Sequence, residues 1–305
     1  MYNILITDGL DKDAISKLKE LNFNAIEQFY KPNELGDNLN DIDVIIVRSA
    51  TKITKEIIDK ACEYNKLKLI IRAGVGLDNI DVNYANSKGI KVTNTPNASS
   101  KSVAELAIGH IFSLARFINI SNVEMREGKW EKKVYKGTEI NGKILGLIGF
   151  GRIAKEVAKK AHALGMKVIY NDTLGECDSY NEYRFCSFDE IVQKSDFISL
   201  HIPYNKQIGA IITKKEINDM KDGTYIINCA RGPLVCENDL IEALNSGKIS
   251  GAGLDVFEVE PTKNLELLNH PRVSVTPHIG ASTIEAQERI GDEVINIIRD
   301  HFNIN

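Results

Sequence analysis

The sequence predicts an α/β protein made of two doubly wound parallel sheets. Two observations carry this. Apolar strand-like runs alternate with helical patterns from end to end, the mark of βαβ units. The chain has 305 residues, more than one core usually encloses, so two domains are the default.

The first half gives strands near 3–7, 25–29, 44–48, 67–73 and 90–94, with helical stretches between them. The second half gives strands near 144–149, 167–172, 197–202, 224–229, 251–257 and 273–276. No low-complexity segment or linker separates the halves. Ser100 to Phe117 is mostly apolar with few charges, so it predicts a helix buried on most sides, as expected of an element wedged between domains. The last helix is expected to start at Ser282-Thr283-Ile284-Glu285, a capping-box pattern, and to run through Ala286, Ile290, Val294, Ile297 and Ile298. Its place after the last strand suggests that the chain crosses back to the first domain. That domain would be discontinuous, 1–98 with 282–305, around a second domain over 99–281.

Composition narrows the partners. The formal net charge of −4 gives no electrostatic footprint for nucleic acid or an anionic membrane. No apolar stretch is long enough to span a bilayer. The N-terminus opens directly as a strand with no signal-peptide pattern, which makes a cytoplasmic protein the expectation. The cysteines are 62, 177, 186, 229 and 236, an odd number without C-x-x-C, so neither a disulfide framework nor a metal site is expected. Cys229 reads as a small buried residue at a strand end.

The most informative segment is Ile144-Leu145-Gly146-Leu147-Ile148-Gly149-Phe150-Gly151-Arg152-Ile153-Ala154. A buried strand meets G-x-G-x-x-A and a helical pattern follows, the context of a Rossmann dinucleotide-binding turn. Gly149 permits the tight turn, Gly151 lets backbone approach a pyrophosphate, and Ala154 keeps helix and strand close. The helix N-terminus offers free N–H groups to the phosphates. The next strand ends on Asp172, placed to accept the ribose hydroxyls. Thr173 to Tyr183 contains Glu176, Asp178 and Glu182 but no Lys or Arg for a 2′-phosphate, so NAD is expected over NADP.

Three later strand ends carry reactive side chains: Asn228-Cys229-Ala230-Arg231-Gly232, Asp255-Val256-Phe257-Glu258-Val259-Glu260-Pro261, and Pro277-His278-Ile279-Gly280. Strand C-termini face the ligand crevice of a doubly wound sheet, so Arg231, Glu260 and His278 are candidates to converge there. Arg offers a planar fork for a carboxylate. His is a proton donor tunable near neutral pH, and Glu beside it stabilises the protonated ring. Each also has a plainer reading: a surface ion pair, a structural histidine, a turn residue before proline. Residue types alone leave both open.

These motifs resemble those of the D-2-hydroxyacid dehydrogenase family, in order and in spacing: 29 positions from Arg231 to Glu260 and 18 from Glu260 to His278. The resemblance covers essentially the whole chain. It implies a Rossmann cofactor domain with a discontinuous flavodoxin-like substrate domain, and a catalytic set of Arg231, Glu260 and His278. It implies that Arg152 and Ile153 lie against the pyrophosphate, and that Asp255 and the Cys229–Ala230 backbone hold the carboxamide. Ile202, Arg231, His278, Gly280 and Ala281 would complete the NAD site. Within the family the chain is similar to the phosphoglycerate dehydrogenase group, through Val47-Arg48-Ser49-Ala50-Thr51, Ile71-Arg72-Ala73-Gly74-Val75-Gly76-Leu77-Asp78-Asn79-Ile80 and Asn94-Thr95-Pro96-Asn97. That implies reversible oxidation of D-3-phosphoglycerate, the first step of phosphorylated serine biosynthesis. Arg231 and the Val75–Gly76 backbone would then serve the carboxylate, and Arg48 and Arg72 the phosphate. The plainer reading of both arginines is surface pairing with acids such as Asp78 or Asp81.

Rival readings are a glyoxylate or hydroxypyruvate reductase with the same chemistry, and an NAD-sensing corepressor-like binding protein. Glu260 argues against formate dehydrogenase, which pairs its His with Gln. The chain ends at Asn305 without the serine-binding regulatory domains of long phosphoglycerate dehydrogenases, so that form of feedback is not expected. Family members form dimers or tetramers through the cofactor domain. The segment Gly128-Lys129-Trp130 is expected either to help there or to pack on its own domain.

Overall fold

The computed structural model describes residues 1–304. The chain divides into two compact units, Met1–Ser99 together with the chain from Ala281 onward, and Ser100–Gly280. Each holds one fully parallel sheet.

In the first unit the strands are short and largely apolar. Val44–Val47 reads Val-Ile-Ile-Val with every residue buried, which requires cover on both faces of the sheet. The elements are β1 (Asn3–Ile6), α1 (Lys12–Glu20), β2 (Asn24–Glu27), α2 (Pro32–Leu35), β3 (Val44–Val47), α3 (Lys55–Tyr64), β4 (Leu69–Arg72), α4 (Val82–Ser87) and β5 (Lys91–Asn94). The sheet order is β2-β1-β3-β4-β5, the flavodoxin-like order, with its switch point between β1 and β3. Alternate residues face opposite cores. Ile4, Ile6, Val44, Ile46, Leu69 and Ile71 pack with α1 and the C-terminal helix, while Leu5, Ile45, Val47 and Ile70 pack with α3.

The C-terminal helix, Ile284–Phe302, buries Ala286, Ile290, Val294, Ile295 and Ile298. It passes very close to α1. A Cβ on Gly291 would stand 2.6 Å from the Cβ of Ala14. The start of this helix differs from the sequence expectation. Thr283, in extended conformation, is the N-cap and accepts from Ala286 N at 3.2 Å. The third helical position is therefore Ala286, and the Ser282–Glu285 box does not form. Ile295 takes the buried position and Ile297 is half-buried. A reciprocal box does occur elsewhere, between Thr213 and Glu216.

The second unit contains α5 (Ser100–Arg116), α6 (Ile118–Arg126), β6 (Ile144–Ile148), α7 (Arg152–Ala163), β7 (Lys167–Asn171), β8 (Arg184–Phe185), α8 (Phe188–Lys194), β9 (Phe197–Leu200), α9 (Lys214–Asp219), β10 (Thr224–Asn228), α10 (Glu237–Ser246), β11 (Ile249–Leu254), α11 (Leu265–Leu268) and β12 (Val273–Val275). The order is β12-β11-β10-β9-β6-β7-β8. The chain winds outward from β6 to β8, then returns to β9 on the other side of β6, so the switch point lies between β6 and β9. Leu145, Leu147, Val168, Tyr170 and Phe197 face α5 and α7. Ile148, Ile169, Ile198, Leu200 and Ile226 face α8, α9 and α10.

Strand β8 is absent from the sequence expectation. It is two residues long, too short for a periodic signal, and is held by pairing with Ile169 and Tyr170. The apolar helix α5 stops one residue short of the expected end, because Phe117 adopts the left-handed conformation (φ 57°, ψ 31°). It is buried against α7 and against β10, β11 and β12. Trp130 is 76% exposed and lines a shallow hollow with Ser121, Met125 and Tyr135 of its own unit. No single described helix is long and apolar enough to cross a membrane.

Just past the end of β9, at the switch point, His201 has Nε2 2.9 Å from Ser199 Oγ. Burial pushes its pKa from 6.5 down to about 4.

These contacts carry two stability predictions. Alanine is a better helix former than glycine by about 1 kcal/mol, yet Gly291→Ala should destabilise the first unit by about 1–3 kcal/mol through overpacking on Ala14. Ala14→Gly in the same chain should relieve it, as read by urea unfolding midpoints in a double-mutant cycle. His201 has a folded pKa below its unfolded value, so the unfolded chain takes up a proton that the folded one refuses. Stability should therefore fall as pH drops from 6.5 towards 4, by up to about 3 kcal/mol from this group, with the loss reduced in His201→Gln.

Candidate active site

The turn after β6 has the geometry that a pyrophosphate requires. Gly149 has φ 88°, and a Cβ there would lie 2.6 Å from Ile202 Cγ2 and 2.7 Å from the His201 carbonyl, across the switch point. Ile202 thus forms the opposite wall. Gly151 faces open space, and a Cβ there would project into it. Gly151 is the N-cap of α7 and supplies no side-chain acceptor, so the first N–H groups of the helix, from Arg152 and Ile153 onward, are left for a ligand. Asp172 ties the end of β7 to this turn. Its Oδ2 accepts from Phe150 N at 2.6 Å and its Oδ1 from Leu174 N at 2.9 Å. Each oxygen keeps a lone pair for a ribose hydroxyl. These residues fit a dinucleotide.

The loops after β10, β11 and β12 bring Arg231, Glu260 and His278 to one edge of the same sheet. After β10, Asn228 folds the turn on itself: its Nδ2 donates to Arg231 O at 2.8 Å and its Oδ1 accepts from Ala230 N at 3.1 Å. Gly232 then lies so close to the Phe257 carbonyl that any Cβ would overlap it. This contact sets the Arg231 turn against the loop that carries Glu260. That loop is braced from behind by a reciprocal pair, Glu237 N to Glu258 Oε1 and Glu258 N to Glu237 Oε1, both 2.9 Å.

His278 Nδ1 lies 2.7 Å from Glu260 Oε2, and the two side chains are 35% and 34% exposed. Glu260 Oε1 also accepts from Phe257 N at 3.1 Å. Burial opposes the charge on Glu260, but the His278 hydrogen bond, the Phe257 N–H and the nearby Arg231 charge together hold its carboxyl below the usual range. Nδ1 is the ring nitrogen on the carboxylate, so Nε2 is the nitrogen not committed to Glu260.

Asp255 is buried at the end of β11. It accepts from Thr276 Oγ1 at 2.6 Å, Ile279 N at 2.8 Å and Gly280 N at 2.8 Å. In this structure its carboxylate shapes the loop around His278. Cys229 lies one residue past β10 and is half-buried, not fully buried as the sequence suggested. Its thiol is enclosed, and burial with the Asp255 charge pushes its pKa up. Ala230 and Cys229 line the same turn as Arg231. Ala281 begins the return to the first unit.

In the first unit, Arg48 follows β3 and Arg72 ends β4, and Val47 and Arg72 are register partners. Asp8, after β1, clamps the Arg48 loop. Its Oδ2 accepts from Arg48 N at 2.7 Å and Thr51 N at 3.0 Å, and its Oδ1 from Thr51 Oγ1 at 2.7 Å. Asn79 Nδ2 donates to the carbonyls of Arg48 and Thr51 at 2.7 and 2.6 Å. The Arg48 guanidinium is half-buried and has no hydrogen-bond or ion-pair partner among the described residues. Burial lowers its pKa, with the Asp8 charge opposing. The Arg72 guanidinium folds over Gly74 and is engaged within the protein. Val75 and Gly76 form the turn after β4, where Asn94 Nδ2 donates to Val75 O.

Sequence reasoning missed Asp8, Asn79, Asn228 and the Glu237–Glu258 brace. Asn228 opens the Arg231 motif itself, which was a usable signal. The others act on backbone 21 to 43 positions away, where no local pattern points to them.

Comparison with known proteins agrees with this geometry. The profile of the D-isomer specific 2-hydroxyacid dehydrogenase NAD binding domain matches residues 108–280. Hydroxypyruvate reductase of Thermotoga maritima is 48% identical over 99% of both chains. D-3-phosphoglycerate dehydrogenase of Methanocaldococcus jannaschii is 44% identical over 98% of this chain, which spans 57% of that longer protein. The solved D-lactate dehydrogenase of Aquifex aeolicus, complexed with NAD and lactic acid, superposes with a TM-score of 0.86 at 32% identity, covering 99% of this chain and 96% of that one. The chain therefore belongs to the D-isomer specific 2-hydroxyacid dehydrogenases and is an NAD-dependent enzyme of that family.

Proposed function

We propose that the protein interconverts D-3-phosphoglycerate and 3-phosphohydroxypyruvate, the entry step of phosphorylated serine biosynthesis. The observation that carries the chemistry is the His278–Glu260 pair at 2.7 Å with Arg231 beside it. When bound, NAD accepts the hydride from C2 or, as NADH, delivers it there. Arg231 clamps the substrate carboxylate through its planar fork. In reduction, protonated His278 gives its Nε2 proton to the C2 oxygen, and Glu260 stabilises the ring while it is charged. In oxidation, neutral His278 takes the hydroxyl proton. Asp172, Gly149, Gly151, Arg152, Ile153 and Ile202 hold the adenosine and pyrophosphate side. Asp255, Cys229, Ala230, His278, Gly280 and Ala281 attend the nicotinamide.

The phosphate assignment is supported by Arg48, a half-buried cation without an acceptor at the ligand edge of the first unit's sheet. Arg72 and the Val75–Gly76 backbone stand at the next strand end. The second reading, a hydroxypyruvate or glyoxylate reductase, is favoured by the Thermotoga relative, which matches at higher identity and over its full length. Neither reading calls for a metal.

His278→Ala should lower kcat by about 10²–10⁴-fold and leave NADH binding largely intact. A variant with the parent's kcat removes His278 from the reaction.

Substrate identity is settled by NADH oxidation at saturating cofactor with phosphohydroxypyruvate, hydroxypyruvate and glyoxylate side by side. The phosphorylated acid should lead in kcat/KM by at least about a hundredfold. Arg48→Ala should raise its KM by about 10- to 100-fold and leave that of hydroxypyruvate unchanged. Equal or better turnover of the unphosphorylated acids decides for the second reading.

A further inference from the structure

Behind the His278 loop, the second unit holds a buried polar chain that ends on Asp255, and its other members, His110, Asn119, Ser274 and Thr276, have no part in the proposed chemistry. His110 on α5 is 2% exposed. Its Nδ1 lies 2.9 Å from Ser274 Oγ and its Nε2 3.1 Å from Thr276 Oγ1. Ser274 and Thr276 are two positions apart at the end of β12, so their side chains point to the same face. Asn119 Nδ2 donates to Ser274 Oγ at 2.6 Å. Thr276 Oγ1 donates to Asp255 Oδ1, and Asp255 also accepts from the N–H groups of Ile279 and Gly280, the two residues that follow His278. His278 N itself donates to Thr276 O at 3.0 Å.

Counting protons fixes the direction of every bond. An ionised carboxylate only accepts, so the single Thr276 hydroxyl proton goes to Asp255. The remaining role for Thr276 Oγ1 is acceptor, so His110 Nε2 carries a proton. Burial disfavours a charged His110 and outweighs the attraction of Asp255, so the ring is neutral and Nδ1 is an acceptor. Ser274 then donates to Nδ1 and accepts from Asn119. One tautomer satisfies all members, with no donor or acceptor in conflict. A histidine that merely fills space in a core does not require such an order.

The loop at the far end needs holding. His278 has φ 53°, a left-handed conformation that costs a non-glycine residue free energy and persists only when its surroundings impose it. Its hydrogen bond to Glu260 closes only with the ring in that place.

We infer that His110 and Thr276 are positioning residues for His278: His110 orders the Thr276 hydroxyl towards Asp255, and the three together lock the 276–280 loop so that His278 meets Glu260. The inference rests on the reading of His278 as the proton carrier.

The test uses four variants chosen by reach. In His110→Gln the side-chain amide reaches the Nε2 place and still donates to Thr276. In His110→Asn it reaches only the Nδ1 place. Thr276→Val removes the hydroxyl, and Thr276→Ser restores it. Each is assayed for reduction of whichever of phosphohydroxypyruvate and hydroxypyruvate the parent turns over faster, for NADH affinity by fluorescence, and for the titration of the ¹⁵N-labelled His278 ring by NMR. His110→Asn and Thr276→Val should lose about 10- to 100-fold in kcat and displace the His278 titration midpoint, with a smaller loss in NADH affinity because the glycine-rich turn and Asp172 are untouched. His110→Gln and Thr276→Ser should recover the parent's kcat and His278 titration. The inference is overturned if His110→Asn and Thr276→Val match the parent in kcat and in the His278 titration, or if His110→Gln is as impaired as His110→Asn. Should His110→Asn fail to fold, the contrast between Thr276→Val and Thr276→Ser decides the matter alone. If His278→Ala keeps the parent's kcat while these variants still displace the His278 titration, the proton-carrier reading fails and the positioning network stands.

Discussion

Asp255 is a carboxylate buried to 1% exposure at the end of a parallel strand, and a charge in that position must be surrounded by donors. All three that it receives come from residues 276–280. Hydrogen bonds to a charged group contribute roughly 1.5–3 kcal/mol each, against about 1–2 kcal/mol for holding one residue left-handed. The balance favours the turn. The conformation of His278 is therefore set by its neighbours on either side and not by its own preference. Glu260 then has a fixed partner to meet.

A second constraint works on the neighbouring loop. Arg231, Glu260 and His278 follow β10, β11 and β12, three adjacent strands at one side of the sheet. Adjacent strands alone leave their loops free to splay. Gly232 prevents this by letting the Arg231 turn press on the Phe257 carbonyl, and Asn228 keeps that turn tight. The glycine-rich turn and Asp172 follow β6 and β7, on the other side of the switch point. In the proposed assignment a dinucleotide would be held along these strand ends from Asp172, past the N-terminus of α7, towards His278. The order of strands is thus also the order of the proposed contacts.

Most strands were legible because they are apolar runs buried on both faces and bounded by turn residues. The two-residue strand β8 has no such run, and only its pairing with β7 makes it a strand. The fingerprint glycines and the site side chains were legible for a related reason: parallel α/β folds put function directly after strands. What stayed hidden is polar and long-range. Asp8 reaches Thr51 across 43 positions, and Glu237 reaches Glu258 across 21. Such clasps follow from which strand ends are neighbours, information that no local window holds. The misplaced helix start has the same character on a smaller scale. Both Ser282 and Thr283 are good N-caps by type, and the placement of Ile290, Val294 and Ile298 against the first unit's core goes with Thr283.

Chemistry and substrate choice are proposed for different parts of the chain. Arg231, Glu260 and His278 lie within residues matched by the family profile, while Arg48 and Arg72 lie outside it. Phosphorylated and unphosphorylated 2-oxo acids present the same carboxylate and carbonyl, so Arg231 and His278 have nothing by which to tell them apart. The difference is a dianion at C3, which a cation or a set of backbone N–H groups reads. Burial disfavours the charge on the Arg48 guanidinium, and the Asp8 carboxylate opposes this only in part. A phosphate offsets that cost through charge-assisted hydrogen bonds, and an uncharged hydroxymethyl group does not. Under the proposed phosphate assignment this is the role of Arg48, and it is the physical argument set beside the higher identity of the Thermotoga reductase.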